Sequence, residues 1–138
     1  MTAQEIVQTM MEKDFFSQWL GIEVLELHAG FCKLEMTIRK EMLNGFGIAH
    51  GGISYALADS ALAFAANSHG RKAVSVETSI SHTIPLKEGD KIVATAEESA
   101  LSNRIGIYHI TVSNEKGEKI ALFKGTVYRT DKNWEEIS

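Results

Sequence analysis

The stretch over residues 53–67 constrains the fold more than any other part of the chain, because it is apolar on every side of a helix. Its apolar members are Ile53, Tyr55, Ala56, Leu57, Ala58, Ala61, Leu62, Ala63, Phe64, Ala65 and Ala66. A helix that is apolar all round must be buried on all sides. The rest of the chain therefore has to supply an apolar surface that wraps around this helix, and Gly70 is a plausible stop for it.

The remaining segments predict one more helical region and a set of strands. Residues 3–20 repeat their apolar side chains every three or four positions, which predicts an N-terminal helical segment within residues 1–20. Residues 22–27 and 31–38 alternate as a hairpin about a turn at 28–30, with Cys32, Leu34, Met36 and Ile38 on one face. Four further strands are predicted over 73–84, 91–101, 104–113 and 119–130, arranged as a meander. The order predicts a single α+β domain over residues 1–138, in which a curved antiparallel sheet wraps one helix.

Charge and composition exclude several classes of function. The 138 residues carry 14 Lys+Arg and 18 Asp+Glu, a net charge of −4, without a basic run, so we expect no nucleic-acid partner. No apolar stretch is long enough to span a bilayer, and the first residues lack the pattern of a signal peptide, so we expect no membrane and a cytoplasmic location. Cys32 is the single cysteine, which excludes an internal disulfide.

Asp59 is the one acidic residue within the apolar helix. Its neighbours one turn away are Tyr55, Ala56, Leu62 and Ala63. An unpaired carboxylate in such a setting costs several kcal/mol, roughly, unless it has a partner or a function. Two interpretations stay open: Asp59 is a catalytic acid or base, or it hydrogen-bonds a loop backbone or Ser60 as a structural residue.

His50, Gly51 and Gly52 precede the apolar helix in a glycine-rich segment that begins near Asn44. Glycines here let a ligand approach the backbone, and the free N–H groups of the first turn with the helix dipole can bind an anion. The alternative is a tight turn leading into the helix, with His50 as a structural residue and Asn44 as a turn residue. Gly51 and Asp59 are eight residues apart, a rise of roughly 12 Å. A donor and a base that act on one carbonyl must each lie within about 3 Å of it, so a shared site needs two chains.

The run from Asn44 through His50, Gly51 and Gly52 to Asp59, with the segments that follow it, resembles the hotdog-fold acyl-CoA thioesterases. The similarity is greatest to the phenylacetic-acid-degradation type, and it extends from about residue 15 to the end of the chain. The resemblance implies a long central helix wrapped by a five- or six-stranded antiparallel sheet. It also implies homodimers with a continuous sheet, commonly assembled into tetramers, with active sites at the dimer interface.

The resemblance also implies roles for individual residues. Asp59 matches the catalytic carboxylate, which acts as general base or as nucleophile, and Gly51 matches the residue whose N–H polarises the thioester carbonyl. Asn44 matches a residue that positions the carbonyl or water, His50 one that supports this loop, and Ser75 a hydroxyl that orients water in some relatives. For the acyl-CoA substrate we expect contacts from Gly52, Phe46, Tyr55, Phe64 and Arg104, with Lys87 and Lys124 as further candidates for the CoA phosphates. Glu77 matches no family role.

We expect no cofactor and no metal, because a thiolate is a good leaving group and the five histidines show no paired ligand spacing. The resemblance suggests an aryl-acetyl or medium-chain acyl group. Two alternatives remain from the sequence. One is a non-catalytic module that binds acyl-CoA as a sensor. The other is a hydratase or dehydratase of the same fold, which would need a His about five residues after Asp59, where this chain has Phe64.

Overall fold

A computed structural model describes residues 1–136, and over them the chain forms a curved antiparallel sheet around one long helix. The helices are α1 (Ala3–Lys13), α2 (Phe15–Leu20) and α3 (Gly51–Asn67), with short 3-10 helices at Lys40–Met42 and Trp134–Glu136. The strands are β1 (Glu23–His28), β2 (Phe31–Thr37), β3 (Arg71–His82), β4 (Lys91–Leu101), β5 (Ile105–Asn114) and β6 (Lys119–Asn133). The predicted α+β hotdog architecture is confirmed, with six strands in the part of the chain that is described.

The N-terminal helical segment is two helices rather than one continuous helix over 3–20. Thr2 and Glu5 form a capping box at the start of α1, and α1 ends at Asp14. The Asp14 carboxylate then accepts a hydrogen bond from the Ser17 backbone N–H (3.0 Å), so the same residue caps the start of α2. Gly21 ends α2 in the left-handed region, at φ +76°. The apolar repeat alone predicts one helix, but Asp14 caps the start of a second helix and divides the segment in two.

The order of strands in the sheet is β1-β2-β4-β5-β6-β3, which corrects the predicted four-strand meander. Strands β4, β5 and β6 do pair consecutively, but β3 pairs with β6 at the far edge and not with β4. The reason lies in α3, which crosses the sheet and contacts every strand from β2 to β6. The chain therefore leaves β2, crosses along α3 and re-enters the sheet at the opposite edge.

The core lies between α3 and the concave face of the sheet. Cys32, Leu34, Met36 and Ile38 are all buried, as the alternation predicts. One glycine allows the helix to lie close to the sheet: a Cβ on Gly125 in β6 would stand 2.5 Å from a Leu62 methyl carbon of α3. Within residues 1–136, no helix is long and apolar enough to cross a membrane.

Candidate active site

The start of α3 presents a backbone N–H that is free to bind a ligand. His50 is the N-cap residue, and its Nδ1 accepts a hydrogen bond from the Gly52 N–H at 2.9 Å. The His50 carbonyl accepts from the Ile53 N–H at 2.9 Å. The Gly51 N–H has no acceptor among the described residues. His50 therefore fixes the first turn while the Gly51 N–H, at the positive end of the helix dipole, stays available.

A cavity of about 320 Å³ lies beside this helix start and is lined by Asn44, Gly51, Ser54 and His82 together with apolar side chains. The Asn44 Oδ1 accepts from the backbone N–H groups of Phe46 (2.9 Å) and Ile48 (3.4 Å). The oxygen of Asn44 thus holds the glycine-rich turn, as one sequence interpretation predicted. Its amide nitrogen is the part of this side chain that remains to meet a ligand in the cavity.

His82, at the end of β3, is a site residue that the sequence analysis missed. Its Nδ1 lies 3.3 Å from the Ser54 Oγ, and its Nε2 lies 3.3 Å from the place that a Cβ on Gly51 would take. The imidazole therefore borders the free N–H of the helix start. No local signal could have identified it, because only the pairing of β3 with β6 brings this strand end beside the start of α3.

Asp59 lies half-buried in the middle of α3, at the border of two cavities. One, of about 420 Å³, also contains Ser75, Lys72, Asn67 and Trp134. The other, of about 360 Å³, contains Asp14, Phe16, Gly52, Tyr55 and Ser60. The side chain of Asp59 has no hydrogen bond or ion pair within residues 1–136. Burial raises the pKa of this carboxyl group above its usual value, and the negative charge of Asp14 raises it further.

The structural alternative for Asp59 named a loop backbone or Ser60 as its partner, but the Asp59 side chain bonds no backbone group within residues 1–136, and the Ser60 hydroxyl is bonded elsewhere. Ser60 Oγ lies 2.8 Å from Ser17 Oγ of α2. Asp59 is thus an ionisable group that faces cavities without a structural partner in the described chain. Perturbed carboxylates in clefts are typical of functional sites.

Within one protomer the candidate residues fall into two groups. Asn44, Gly51 and His82 line one cavity, whereas Asp59 and Ser75 line another. None of the cavities described here is lined by both Gly51 and Asp59. The arrangement agrees with the rise of the helix between the two residues.

The residues expected to contact substrate lie in different environments. Tyr55 lines the 360 Å³ cavity, and its ring is held by an edge contact with Phe123 at 5.3 Å and a hydroxyl bond to Thr78. Phe46 is 89% exposed at the tip of its loop. Phe64 has no exposed surface and packs in the core, so its position in the protomer does not fit the expected pocket wall.

Two of the basic residues expected near the CoA phosphates are engaged in ion pairs. Arg104 bonds Asp131 at 2.8 Å, and its guanidinium lies 5.9 Å from the centre of the Tyr128 ring. Lys124 bonds Glu77 at 3.0 Å. Glu77 also accepts a hydrogen bond from Thr126. This exposed carboxylate thus bonds two residues of the neighbouring strand β6, and it lines none of the three cavities described above.

Other features of the molecule offer less chemistry. Cys32 is fully buried, and burial raises the pKa of its thiol to about 12, so it is not a nucleophile. Across the described residues, no three His, Cys, Asp or Glu side chains come together to hold a metal ion. A cavity of about 610 Å³ between α1 and β1 contains none of the predicted site residues.

Comparison with known proteins agrees with this site. The sequence profile of the thioesterase superfamily matches residues 46–121, which include Gly51, Asp59, Ser75 and His82. The chain belongs to the thioesterase superfamily. Its resemblance to the phenylacetic-acid-degradation group is confirmed, and the chain is a thioester hydrolase.

Individual relatives are similar over almost the whole chain. A putative esterase of Archaeoglobus fulgidus is 39% identical over 98% of this chain and 88% of its own length. The acyl-coenzyme A thioesterase PaaI of Escherichia coli is 35% identical over 92% of this chain and 91% of its own. The solved structure of the E. coli PaaI protein, from the phenylacetic acid degradation operon, superimposes with a TM-score of 0.92, 34% identity and 95% coverage of each chain.

Proposed function

We propose that this protein hydrolyses acyl-CoA thioesters to a free acid and CoA, with Asp59 of one protomer and the Gly51 N–H of a second protomer at each site. The observation that carries the proposal is an ionisable side chain without a structural partner, set between cavities on an otherwise apolar helix. The similarity to the E. coli acyl-coenzyme A thioesterase supports the substrate class.

The reaction follows from the two groups. Asp59 accepts a proton from water while the water oxygen adds to the thioester carbonyl carbon. The negative charge that develops on the carbonyl oxygen is stabilised by the Gly51 N–H and the helix dipole. The intermediate then breaks its C–S bond, and the CoA thiolate leaves and takes up a proton. Attack by Asp59 itself, through an anhydride that water then cleaves, gives the same products.

The raised pKa of Asp59 suits the role of a base. A carboxylate whose pKa lies above its usual value holds an abstracted proton more firmly than an exposed aspartate does. Burial of the group thus makes Asp59 a stronger base at neutral pH. The base is active in its ionised form, so kcat/KM should fall as the pH is lowered through this pKa.

The second protomer is inferred from the distance between the two groups and from the edge of the sheet. Strand β3 is twelve residues long and forms an edge, where Val74 and Val76 are 58% and 61% exposed. An edge strand of this length, with exposed valines and a row of unpaired backbone N–H and C=O groups, is normally covered. Pairing of β3 with its copy would make a continuous sheet and bring Ser75 and Asp59 of one chain near the helix start of the other. The proposal includes a homodimer as the minimal unit and a tetramer as a further assembly.

The substrate chemistry is inferred from the cavity walls. The 360 Å³ cavity that holds Asp59 has the aromatic rings of Phe16 and Tyr55 and the small side chains of Ala56 and Ala63. Such a lining suits an apolar acyl group of aryl-acetyl or medium-chain size. Gly52 lines this cavity and is a proposed contact of the acyl group, and Arg104 is a proposed contact of the CoA phosphates.

A panel of acyl-CoA thioesters, read as the free thiol released over time, tests the activity. We expect turnover of aryl-acetyl or medium-chain substrates, and loss of turnover in Asp59→Asn. Glu77→Gln is the matched control, since it removes a carboxylate on the neighbouring strand that lies outside the cavities. Binding of several thioesters without hydrolysis by the wild type would instead identify an acyl-CoA sensor.

A mixing experiment tests the shared site directly. Gly51→Pro removes the N–H at the first position of a helix, where proline is tolerated, and His50 already has the extended ψ of 138° that precedes a proline. Asp59→Asn and Gly51→Pro should each be inactive. Subunits exchanged between the two should regain about a quarter of wild-type activity, because half the dimers then contain one intact site. No recovery after proven subunit exchange would contradict a site built from two chains.

A further inference from the structure

The cavity that holds Asp59 contains a second acidic side chain, which the proposed reaction does not use. Asp14, the N-cap residue of α2, lines the same 360 Å³ cavity as Asp59 and Ser60. Its carboxylate comes from the N-terminal segment, outside the residues 46–121 that match the superfamily profile. From the sequence, Asp14 was only one residue of the predicted helical segment over 3–20.

A chain of hydrogen bonds fixes Asp14 against α3. Its Oδ1 accepts from the Ser17 N–H at 3.0 Å and its Oδ2 from the Ser17 hydroxyl at 2.7 Å. The Ser17 oxygen lies 2.8 Å from the Ser60 hydroxyl, and Ser17 is buried. Because the single proton of Ser17 goes to Asp14, Ser60 must donate its own proton to Ser17. The chain therefore ends one residue after Asp59, and neither carboxylate oxygen of Asp14 can turn away without breaking a bond.

We propose that Asp14 is a positioning residue of the candidate active site, held by Ser17 and Ser60 so that its negative charge acts on Asp59. The inference rests on the proposed function, in which Asp59 is the base. Two carboxylates that line one cavity repel each other when both are ionised, so the charge of Asp14 disfavours ionisation of Asp59. Asp14 thus makes Asp59 bind a proton more tightly, which strengthens it as a base without contact with substrate.

Other groups that face Asp59 do not duplicate this effect. From β3, Lys72 lines the 420 Å³ cavity, but its ammonium lies over the Trp134 ring, 5.1 Å from the ring centre. From α3 itself, the Tyr55 hydroxyl is bonded to Thr78, and α1 contributes the uncharged Met10. The charge of Asp14 acts in the same direction as burial on the pKa of Asp59.

The test is a direct titration of Asp59 in the full-length protein carrying Asp14→Asn. Asparagine is as good an N-cap residue as aspartate, so α2 should persist while the charge is lost. The chain has four aspartates, Asp14, Asp59, Asp90 and Asp131, so carbon NMR of labelled carboxyl groups resolves Asp59, with Asp59→Asn as the assignment control. We expect the Asp59 midpoint and the acid limb of kcat/KM to move together to lower pH, by about half a unit or more.

Lys72→Met is the matched control, because it changes a charge on the other side of Asp59 and should not lower the midpoint. An Asp59 midpoint unchanged within about 0.2 units in Asp14→Asn would overturn the inference, as would an equal fall in Lys72→Met. If Asp14→Asn does not fold, Asp14→Ser keeps a capping side chain and takes its place. The titration needs no turnover, so it fails or succeeds independently of the proposed hydrolysis, which Asp59→Asn tests.

Discussion

Asp59 and Asn67 lie eight residues apart in helix α3, and their side chains have opposite hydrogen-bonding environments. Asn67 is 2% exposed and fully bonded: its amide donates to the Ala63 and Ala73 carbonyls, and its oxygen accepts from the Ala73 N–H and the Trp134 indole. Asp59 is half-buried and borders two cavities, and its carboxylate has no hydrogen bond in the described chain.

The difference separates a structural polar residue from the one that we propose to be functional. Asn67 ties the end of α3 to the start of β3 and to the chain after β6, so each of its polar atoms replaces water with a protein partner. The Asp59 carboxylate bears the cost of burial without such a partner in residues 1–136, which leaves its lone pairs available for the role that we propose. Satisfaction of hydrogen bonds, rather than burial, therefore distinguishes the two roles.

Loss of the Asp59 carboxylate should give the largest effect and the sharpest contrast. We expect Asp59→Asn to reduce kcat about 10³-fold, because the amide keeps the shape of the side chain but cannot accept the proton. Its thermal midpoint should be unchanged or higher. Thiol release and calorimetry on the same preparation check both results. If Asp59→Asn retains most of its kcat, Asp59 is not the base, and its contrast with Asn67 has no functional meaning.

Loss of the oxyanion donor should come next. Gly51→Pro is expected to reduce kcat about 10²-fold, since one backbone donor to the developing negative charge is lost. Gly51→Ala is the companion variant, because it keeps the N–H and only crowds His82, whose Nε2 would lie 3.3 Å from the new Cβ. Equal losses in the two variants would show that crowding, and not the N–H, is responsible.

Asn67→Ala should show the reverse behaviour of Asp59→Asn. Removal of the amide leaves the Ala73 N–H and the Trp134 indole N–H without their acceptor, so we expect the free energy of unfolding to fall by about 3 kcal/mol. Chemical denaturation measures the loss. Asn67→Asp keeps the acceptor oxygen for both donors but sets a second carboxylate oxygen against the Ala63 and Ala73 carbonyls, so it should also be destabilised, most strongly at neutral pH where the carboxylate is ionised. An Asn67→Ala variant that is as stable as wild type would contradict the structural role.

The pH dependence of stability should give the smallest effect. The pKa of Asp59 is raised in the folded protein above its ordinary value of 3.8, so the folded state binds this proton more tightly than the unfolded state. The stabilising contribution of the proton is complete below pH 3.8 and is lost as pH rises through the folded pKa. The thermal midpoint of Asp59→Asn should therefore exceed that of wild type by a few degrees at neutral pH, with the gap closing on acidification. If the difference in thermal midpoint between Asp59→Asn and wild type widens as the pH falls, the pKa of Asp59 is not raised in the folded protein.

Patterns of single elements could be predicted from the sequence, and the way in which those elements meet could not. The all-apolar helix and the buried face of Cys32, Leu34, Met36 and Ile38 follow from local periodicity and are confirmed. The end of α1 at Asp14 was missed, because a capping aspartate does not interrupt the apolar repeat around it. The roles of Gly51, Asn44 and Ser75 stay predictions, although the structure gives each a place on a cavity wall.

The sequence by itself determined that one helix must be wrapped by a sheet, because a helix without a polar face has no stable place in water. It also determined that Asp59 and the N–H of Gly51 are too far apart to meet within one chain, since the helical rise is fixed. The tertiary structure decided which residues share a cavity. Placing β3 beside β6 set His82 near Gly51, and docking α2 on α3 set Asp14 near Asp59. Such neighbours are distant in sequence, and only packing and strand order bring them together.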